Sequence, residues 1–466
     1  MSFDLDWLII GAGPAGQKAA IQAAKAGCSV AIVERGRHVG GECVHRGTIP
    51  SKSLRETALR LAAEPRGTLR TMQMEGSGLA GLLSRVGSVV DAHVRFQQDQ
   101  LLRNDVRIVH GHARFLDPHR VRIDHAGGES TILTAERVVV ATGSVPWRPP
   151  GIEVDHEYVL DSDSVLSLPY LPESLVVIGG GVIACEYATV FKHLGSRVTM
   201  IDRGERPMSF LDVDLSRAMV QSFSGSGCRY MPRSEVISVE PGAITVECRL
   251  RSGERVTAEK VLLAVGRTAN LGRLGLVELG ARTTPRGHLV VDDAYRTTVP
   301  DVLAVGDVIG FPALAATSME QGRRAVRLAL DLPVTDPASA FPIGIYSIPE
   351  FASVGLTEDQ AIDAHGEIRV GVCDYAEVAR GQISGQDGML KLLSTADRSR
   401  LLGVHVVGDA ATEVVHLGQM ALIGRMPPSV FVDHTFNFPT LAEAYRIAAL
   451  ALERPTAVRE RQNALV

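Results

Sequence analysis

The sequence carries no excess of positive charge: 48 lysine and arginine residues stand against 53 aspartate and glutamate, for a net charge of −5. That balance gives no electrostatic case for nucleic acid or an anionic membrane as partner. No uninterrupted apolar run approaches the roughly 18 residues of a spanning helix. Cysteine is sparse, with six residues at 28, 43, 185, 228, 248 and 373 of 466. Scattered so thinly, they build no dense disulfide framework and point to a reducing compartment. The first residues, Met1-Ser2-Phe3-Asp4-Leu5-Asp6, are acidic where a targeting peptide would be basic. Together these absences predict a cytoplasmic protein that engages neither membrane nor nucleic acid, and no metal site is assigned.

Hydrophobic residues make up 45% and charged residues 22%. Those proportions suit a soluble globular chain and exclude disordered, collagen-like and coiled-coil readings. The length allows about three domains. The 46 glycines fall in tight clusters after apolar runs, which is the mark of an α/β protein with glycine turns.

Trp7-Leu8-Ile9-Ile10 reads as a buried parallel strand. Gly11-Ala12-Gly13-Pro14-Ala15-Gly16 follows, then an alanine-rich helix closing at Gly27, and a strand Val30–Val33 ending at Glu34. The same plan recurs at Val176–Ile178, Gly179-Gly180-Gly181-Val182-Ile183-Ala184, a helix to about His193, and a strand ending at Asp202. In both copies the acidic residue stands 23 positions after the first glycine. One such fingerprint is weak; two in the same strand–helix–strand context point to two dinucleotide sites. Further strands run into glycine at Thr142-Gly143, Val265-Gly266 and Gly306-Asp307, and Gly403–Gly408 reads as a strand in a C-terminal α+β unit. Boundaries are expected near 147, 268 and 338, dividing the chain into 1–147, 148–268, 269–338 and 339–466.

In the first loop Gly11 permits the tight turn, Gly13 lets a pyrophosphate approach the backbone, and Gly16 lets the helix pack closely. The helix N-terminus supplies N–H groups and a positive dipole end. Glu34 suits the hydroxyls of an adenosine ribose. In the second loop Ala184 takes the last glycine position. Asp202 suits a free 2′-hydroxyl, while Arg203 or Arg206 would pair with a 2′-phosphate, so NAD is expected first and NADP stays open. Asp307 reads either as an acceptor for a sugar or ribitol hydroxyl or as the cap of the next helix. Two nucleotides in one chain serve two halves of an electron transfer, with FAD held and NAD(P)H coming and going.

Gly40-Gly41-Glu42-Cys43-Val44-His45-Arg46-Gly47-Thr48-Ile49-Pro50-Ser51-Lys52 resembles the redox-active segment of the flavoprotein disulfide reductases. The likeness extends over essentially the whole chain, including Ala141-Thr142-Gly143, Gly266-Arg267, Gly306-Asp307 and Pro439-Thr440-Leu441-Ala442-Glu443. It implies two Rossmann-like dinucleotide-binding domains, for FAD and NAD(P), and a C-terminal α+β dimerisation domain forming a homodimer. It further implies that Gly41, Lys52, Thr142, Gly143, Asp307 and Ala315 join Gly11, Gly13, Gly16 and Glu34 at FAD. Gly266 would join Gly179, Gly181, Ala184, Asp202 and Arg203 at NAD(P). Lys52 resembles the family lysine beneath the flavin and Glu186 its ion-pair partner, the two residues assigned to catalysis.

Two departures bear on the reaction. The family has cysteines five positions apart, and here the second position is Thr48. It also has a histidine base before the C-terminal proline, where this chain has Phe438; Glu443, the usual partner, remains. Threonine forms no disulfide and phenylalanine takes no proton. The dithiol relay is missing in both halves. The departures resemble the branch of the family that moves hydride between NAD(H) and NADP(H) through flavin alone. Competing readings are an NAD(P)H oxidase or quinone reductase, in which Cys43 cycles through a sulfenic acid, and a flavin-holding sensor without turnover.

Overall fold

The computed structural model describes residues 3–62, 78–335, 340–385 and 387–453. The expected boundary near 338 lies outside the described residues. The chain divides into two compact units: Met1–Pro172 with Val239–Val246 and Glu259–Thr335, and Glu173–Ser238 with Glu247–Ala258 and Asp336–Val466.

The first unit is built on a parallel sheet. Leu5–Ile10 lies between Val30–Glu34 and Ser130–Val140. Arg107–His110 extends one side and Val302–Ala304 the other, all parallel. Trp7, Leu8, Ile9, Ala31, Ile32, Val138, Val139 and Val140 are all fully or almost fully buried. Burial on both faces explains their continuous apolar sequence, since helices must cover each side of a parallel sheet. The helices Pro14–Lys25 and Ala315–Ala329 supply part of that cover. Short strands His112–Asp117 and Arg120–Asp124 continue the sheet antiparallel from the outer half of Ser130–Val140. Here burial alternates, as one-sided packing requires.

The second unit repeats the parallel plan with Ser174–Ile178, Arg197–Ile201 and Arg229–Met231 around the helix Val182–His193. Its C-terminal part is a five-stranded antiparallel sheet: Ile343–Ile345, Phe351–Gly355, Leu401–Val407, Met389–Thr395, Ile368–Asp374. The helices Ala411–Ile423 and Glu443–Ala451 pack against it, with Tyr375 and Tyr445 fully buried. The Tyr445 hydroxyl accepts from Gly418 N–H at 3.0 Å and donates to the Val414 carbonyl at 2.9 Å, which satisfies a polar group inside an apolar layer. No helix among the described residues is long and apolar enough to cross a membrane.

His405 sits in this sheet with no exposure. Its Nδ1 bonds Ser353 Oγ at 2.8 Å and its Nε2 faces the Leu356 carbonyl at 3.0 Å. Burial drives its pKa down to about 4, overcoming the attraction of Asp212. The unfolded imidazole titrates near 6.5. Between these values the unfolded chain binds the extra proton. Stability is therefore complete above about pH 6.5 and falls as pH drops toward 4, by up to about 3 kcal/mol from this group. Urea unfolding from pH 7.5 to 4.5 is expected to show that loss, and His405→Gln to flatten it. An equal slope in the variant would assign the acid lability elsewhere.

Candidate active site

The strand Leu5–Ile10 delivers the first glycine loop to the N-terminus of the helix Pro14–Lys25. Gly11 has φ +104°, and a Cβ there would collide with the Ala141 carbonyl oxygen. A Cβ on Gly16 would strike the Gly11 carbonyl oxygen, so glycine alone lets helix and loop approach. Gly13 differs. A Cβ there would have only Gly41 Cα near it, at 3.9 Å. The space beside Gly13 is thus open, and no side chain caps the helix. Pro14 begins that helix without a donor of its own, leaving later N–H groups to face an anion. Glu34 is buried at the strand end, where Ala12 N–H donates to its Oε2 at 2.9 Å and Gly36 N–H to its Oε1 at 2.7 Å. Thr142 Oγ1 is buried and has no hydrogen-bond partner among the described residues. An open cradle, a free helix N-terminus, a fixed carboxylate and an unspent hydroxyl fit a dinucleotide such as FAD.

Asp307 lies inside a short 3-10 turn, Gly306–Ile309, and does not cap the helix Ala315–Ala329, whose cap position is Leu314. Its Oδ2 accepts from Ser144 Oγ at 3.0 Å and its Oδ1 from Ser318 Oγ at 3.4 Å. Arg267 in turn donates through Nε to Ser144 Oγ at 2.7 Å and through Nη2 to the Ser144 carbonyl at 2.8 Å. Arg267 Nη1 also reaches Ser162 Oγ at 3.1 Å and lies 3.8 Å from Asp163. Sequence reasoning names Asp307 but misses Ser144 and Ser162, which carry no local signal. Gly266 belongs to this unit, its carbonyl taken by Trp147 N–H at 3.0 Å.

The redox segment forms two short elements, Gly41–His45 and the start of Thr48–Ala62. They bring Cys43 and Thr48 together in one segment. Burial raises the pKa of that thiol, the Thr48 contact and Lys52 oppose the rise, and Asp307 adds to it. Cys43 is a free thiol that stays protonated at neutral pH. Lys52 is half-buried in the first turn of its helix, its Nζ 3.3 Å from Ser51 Oγ. Glu42, also missed by sequence reasoning, has a buried Oε2 without a hydrogen-bond partner among the described residues. Burial and then Asp163 push its carboxyl pKa up against the pull of Arg46, 3.5 Å away.

In the second unit the loop Gly179–Ala184 opens the helix Val182–His193, whose cap residue Gly181 again carries no side-chain bond. Nothing lies within 4 Å of a Cβ on Gly181. Asp202 mirrors Glu34: its Oδ1 accepts from Gly204 N–H at 3.0 Å and its Oδ2 from Tyr230 at 3.3 Å. Burial and Asp202 both raise the Tyr230 pKa, which keeps that hydroxyl protonated as the donor. A Cβ on Gly180 would strike Asp202 Oδ2, so the middle glycine is what seats the carboxylate over the loop. Arg203 is exposed at the strand end. Arg206 is committed to the loop itself, donating to the Leu211 carbonyl, Ser216 Oγ and the Ser209 carbonyl at 3.0, 2.7 and 3.0 Å. Of the two arginines, only Arg203 is free of these loop bonds to meet a 2′-phosphate. Glu186 is buried and accepts from Tyr346 N–H at 2.9 Å. Phe438 is 68% exposed ahead of Pro439, and Glu443 opens the last described helix.

Two glycine loops, each followed by a carboxylate at or just past the end of the next strand, fit an oxidoreductase that handles two dinucleotides. Residues 5–322 match the family described as pyridine nucleotide-disulphide oxidoreductase, and residues 341–449 match that family's dimerisation domain. The chain belongs to this family. It is 44% identical over 457 residues to the soluble pyridine nucleotide transhydrogenase of Mycobacterium tuberculosis, covering 96% of this chain and 97% of that one. It is 40% identical over 456 residues to the protein of the same name from Colwellia psychrerythraea, covering 96% and 98%. Among solved structures it is similar to LpdA from Mycobacterium tuberculosis, with a TM-score of 0.87 and 26% identity over 96% of this chain and 100% of that one.

Proposed function

We propose that this chain transfers hydride between NAD(H) and NADP(H) by way of FAD, without a redox-active disulfide. The observation that carries the reading is the Cys43–Thr48 pair: the family's dithiol position holds one protonated thiol and one hydroxyl. The named transhydrogenases among its relatives support it. FAD supplies two-electron hydride chemistry when bound. The Gly11–Gly16 loop, with Gly41 beside it, and the helix N-terminus hold the pyrophosphate, and Glu34 takes the adenosine ribose. Thr142, Gly143, Asp307 and Ala315 line the remainder of that site. Lys52 would supply a cation where negative charge accumulates, and Glu186 is the second residue assigned to catalysis. Gly179, Gly181, Ala184, Asp202 and Arg203 would seat one nicotinamide nucleotide, release it, and seat the second in the same place.

In this reading the chain is organised as 1–147 and 269–338 for FAD, 148–268 for NAD(P), and 339–466 for dimerisation. It works as a cytoplasmic homodimer, in which Phe438 encloses rather than protonates. The test is anaerobic reduction by NADPH followed by reoxidation with a nicotinamide acceptor. One equivalent of reduced acceptor is expected per bound flavin, with no reductase activity toward lipoamide or glutathione disulfide. Two-electron reduction is also expected to leave no long-wavelength thiolate-to-flavin band, because Cys43 has no thiol partner. Robust disulfide reduction, or a persistent band, would refute the reading.

A further inference from the structure

Lys391 is the most deeply buried lysine described, with no side-chain exposure. Its Nζ lies 2.8 Å from Asp212 Oδ1, 2.8 Å from Asp214 Oδ2 and 2.5 Å from Glu358 Oε2. Burial disfavours its charge, and the three carboxylates outweigh burial and raise its pKa. One strand of the C-terminal sheet thus grips the start of the helix Val213–Gly225, where Asp212 is the cap and accepts from Asp214 N–H at 3.1 Å. Asp212 Oδ2 also accepts from Glu358 N–H at 3.0 Å, which ties the start of the helix Glu358–His365 to the same carboxylate.

From that cap an unbroken chain of bonds leads back to the second glycine loop. The Asp212 carbonyl accepts from Leu215 and Ser216 N–H at 3.1 and 3.3 Å. Ser216 Oγ donates to the Pro207 carbonyl at 2.9 Å and accepts from Arg206, which also holds the Leu211 carbonyl. Leu211 N–H bonds the Met208 carbonyl at 2.9 Å, and Met208 N–H bonds the Gly180 carbonyl at 2.7 Å. Met208 is 2% exposed and has φ +49°, a left-handed conformation that a methionine holds only when its surroundings impose it.

We infer that Lys391 is a positioning residue for nicotinamide nucleotide binding: it anchors Asp212, and through the 206–212 segment it sets the carbonyl of Gly180 and the shape of the pyrophosphate loop. The inference rests on the reading that Gly179–Ala184 holds the nucleotide. Lys391 touches no reacting atom, so its loss should act on affinity and spare the chemistry.

The experiment uses the FAD-loaded protein, with NADP+ affinity measured by calorimetry beside steady-state kinetics, flavin content and melting temperature. Lys391→Met leaves Asp212 buried without its cation. It is expected to raise the NADP+ Kd and the KM about tenfold, with kcat at saturation within about twofold and FAD content unchanged. Asp212→Asn keeps a good helix cap but loses the charge contact, and is expected to raise Kd about fourfold. A lowered melting temperature with unchanged Kd in Lys391→Met would overturn the inference, as would a fall in kcat at unchanged KM. Should Lys391→Met not accumulate as folded protein, Asp212→Asn decides, and an unchanged Kd there overturns it. Absence of NADP+ binding by the unaltered protein would instead remove the reading of the loop.

Discussion

Gly13→Val is expected to yield a folded, colourless protein with less than about a tenth of an equivalent of flavin and transhydrogenation reduced by about a thousandfold or more. The reasoning separates folding from binding. Gly13 has φ −77° and ψ −176°, an extended conformation open to any residue. The nearest atom to a Cβ there is Gly41 Cα at 3.9 Å, an ordinary van der Waals distance. The fold therefore has no need of glycine at this position, and the space that valine fills is the space a pyrophosphate needs. Gly16→Ala is the contrast. Its Cβ would meet the Gly11 carbonyl oxygen, so the helix must move away from the loop and the protein should accumulate poorly. Absorbance of the purified proteins and their thermal melts separate the two. A Gly13→Val protein that retains stoichiometric flavin would show that the loop does not hold the cofactor.

Asp202→Asn is expected to move the ratio of kcat/KM values about tenfold toward NADPH over NADH. The carboxylate sits over Gly180, held by Gly204 N–H and Tyr230, where the proposed site would receive an adenosine ribose. Two unit charges about 4 Å apart at an effective dielectric near 20 interact by about 4 kcal/mol. Solvent and the nearby Arg203 reduce the repulsion of a 2′-phosphate to roughly a third of that, which is about tenfold. Asparagine keeps the shape, with its Oδ1 still accepting from Gly204 N–H and its amide N–H donating to the Tyr230 oxygen in place of the reverse bond, so the change is chiefly one of charge. Steady-state kinetics with both reduced nucleotides measures it. An unchanged ratio, with NADH still reducing the flavin, would place the ribose elsewhere.

Much of this architecture was legible in the residues themselves. Glu34 closes the strand Val30–Glu34 and Asp202 directly follows the strand Arg197–Ile201, at equal offsets from their glycine loops, and the structure folds both carboxylates back onto the backbone two residues on, at Gly36 and Gly204. The repeat is readable because backbone geometry near a phosphate is a local matter, decided by residues within about one turn. The Cys43–Thr48 pairing was legible for the same reason, since the two lie within one short segment.

What the tertiary structure decided is which charged groups remain available. Arg203 and Arg206 look alike in sequence, but folding commits Arg206 to Leu211, Ser209 and Ser216 and leaves Arg203 exposed. Asp307 reads as a helix cap or a hydroxyl acceptor until Ser144, more than 160 positions away, bonds it and Arg267 bonds Ser144. Lys391 sits in a strand with no motif around it, and its three carboxylates come from two other elements. A local pattern records what the backbone must do. The partner of a buried charge is chosen by long-range packing, because desolvation makes any unpartnered alternative too costly, and that choice exists only once the chain has folded.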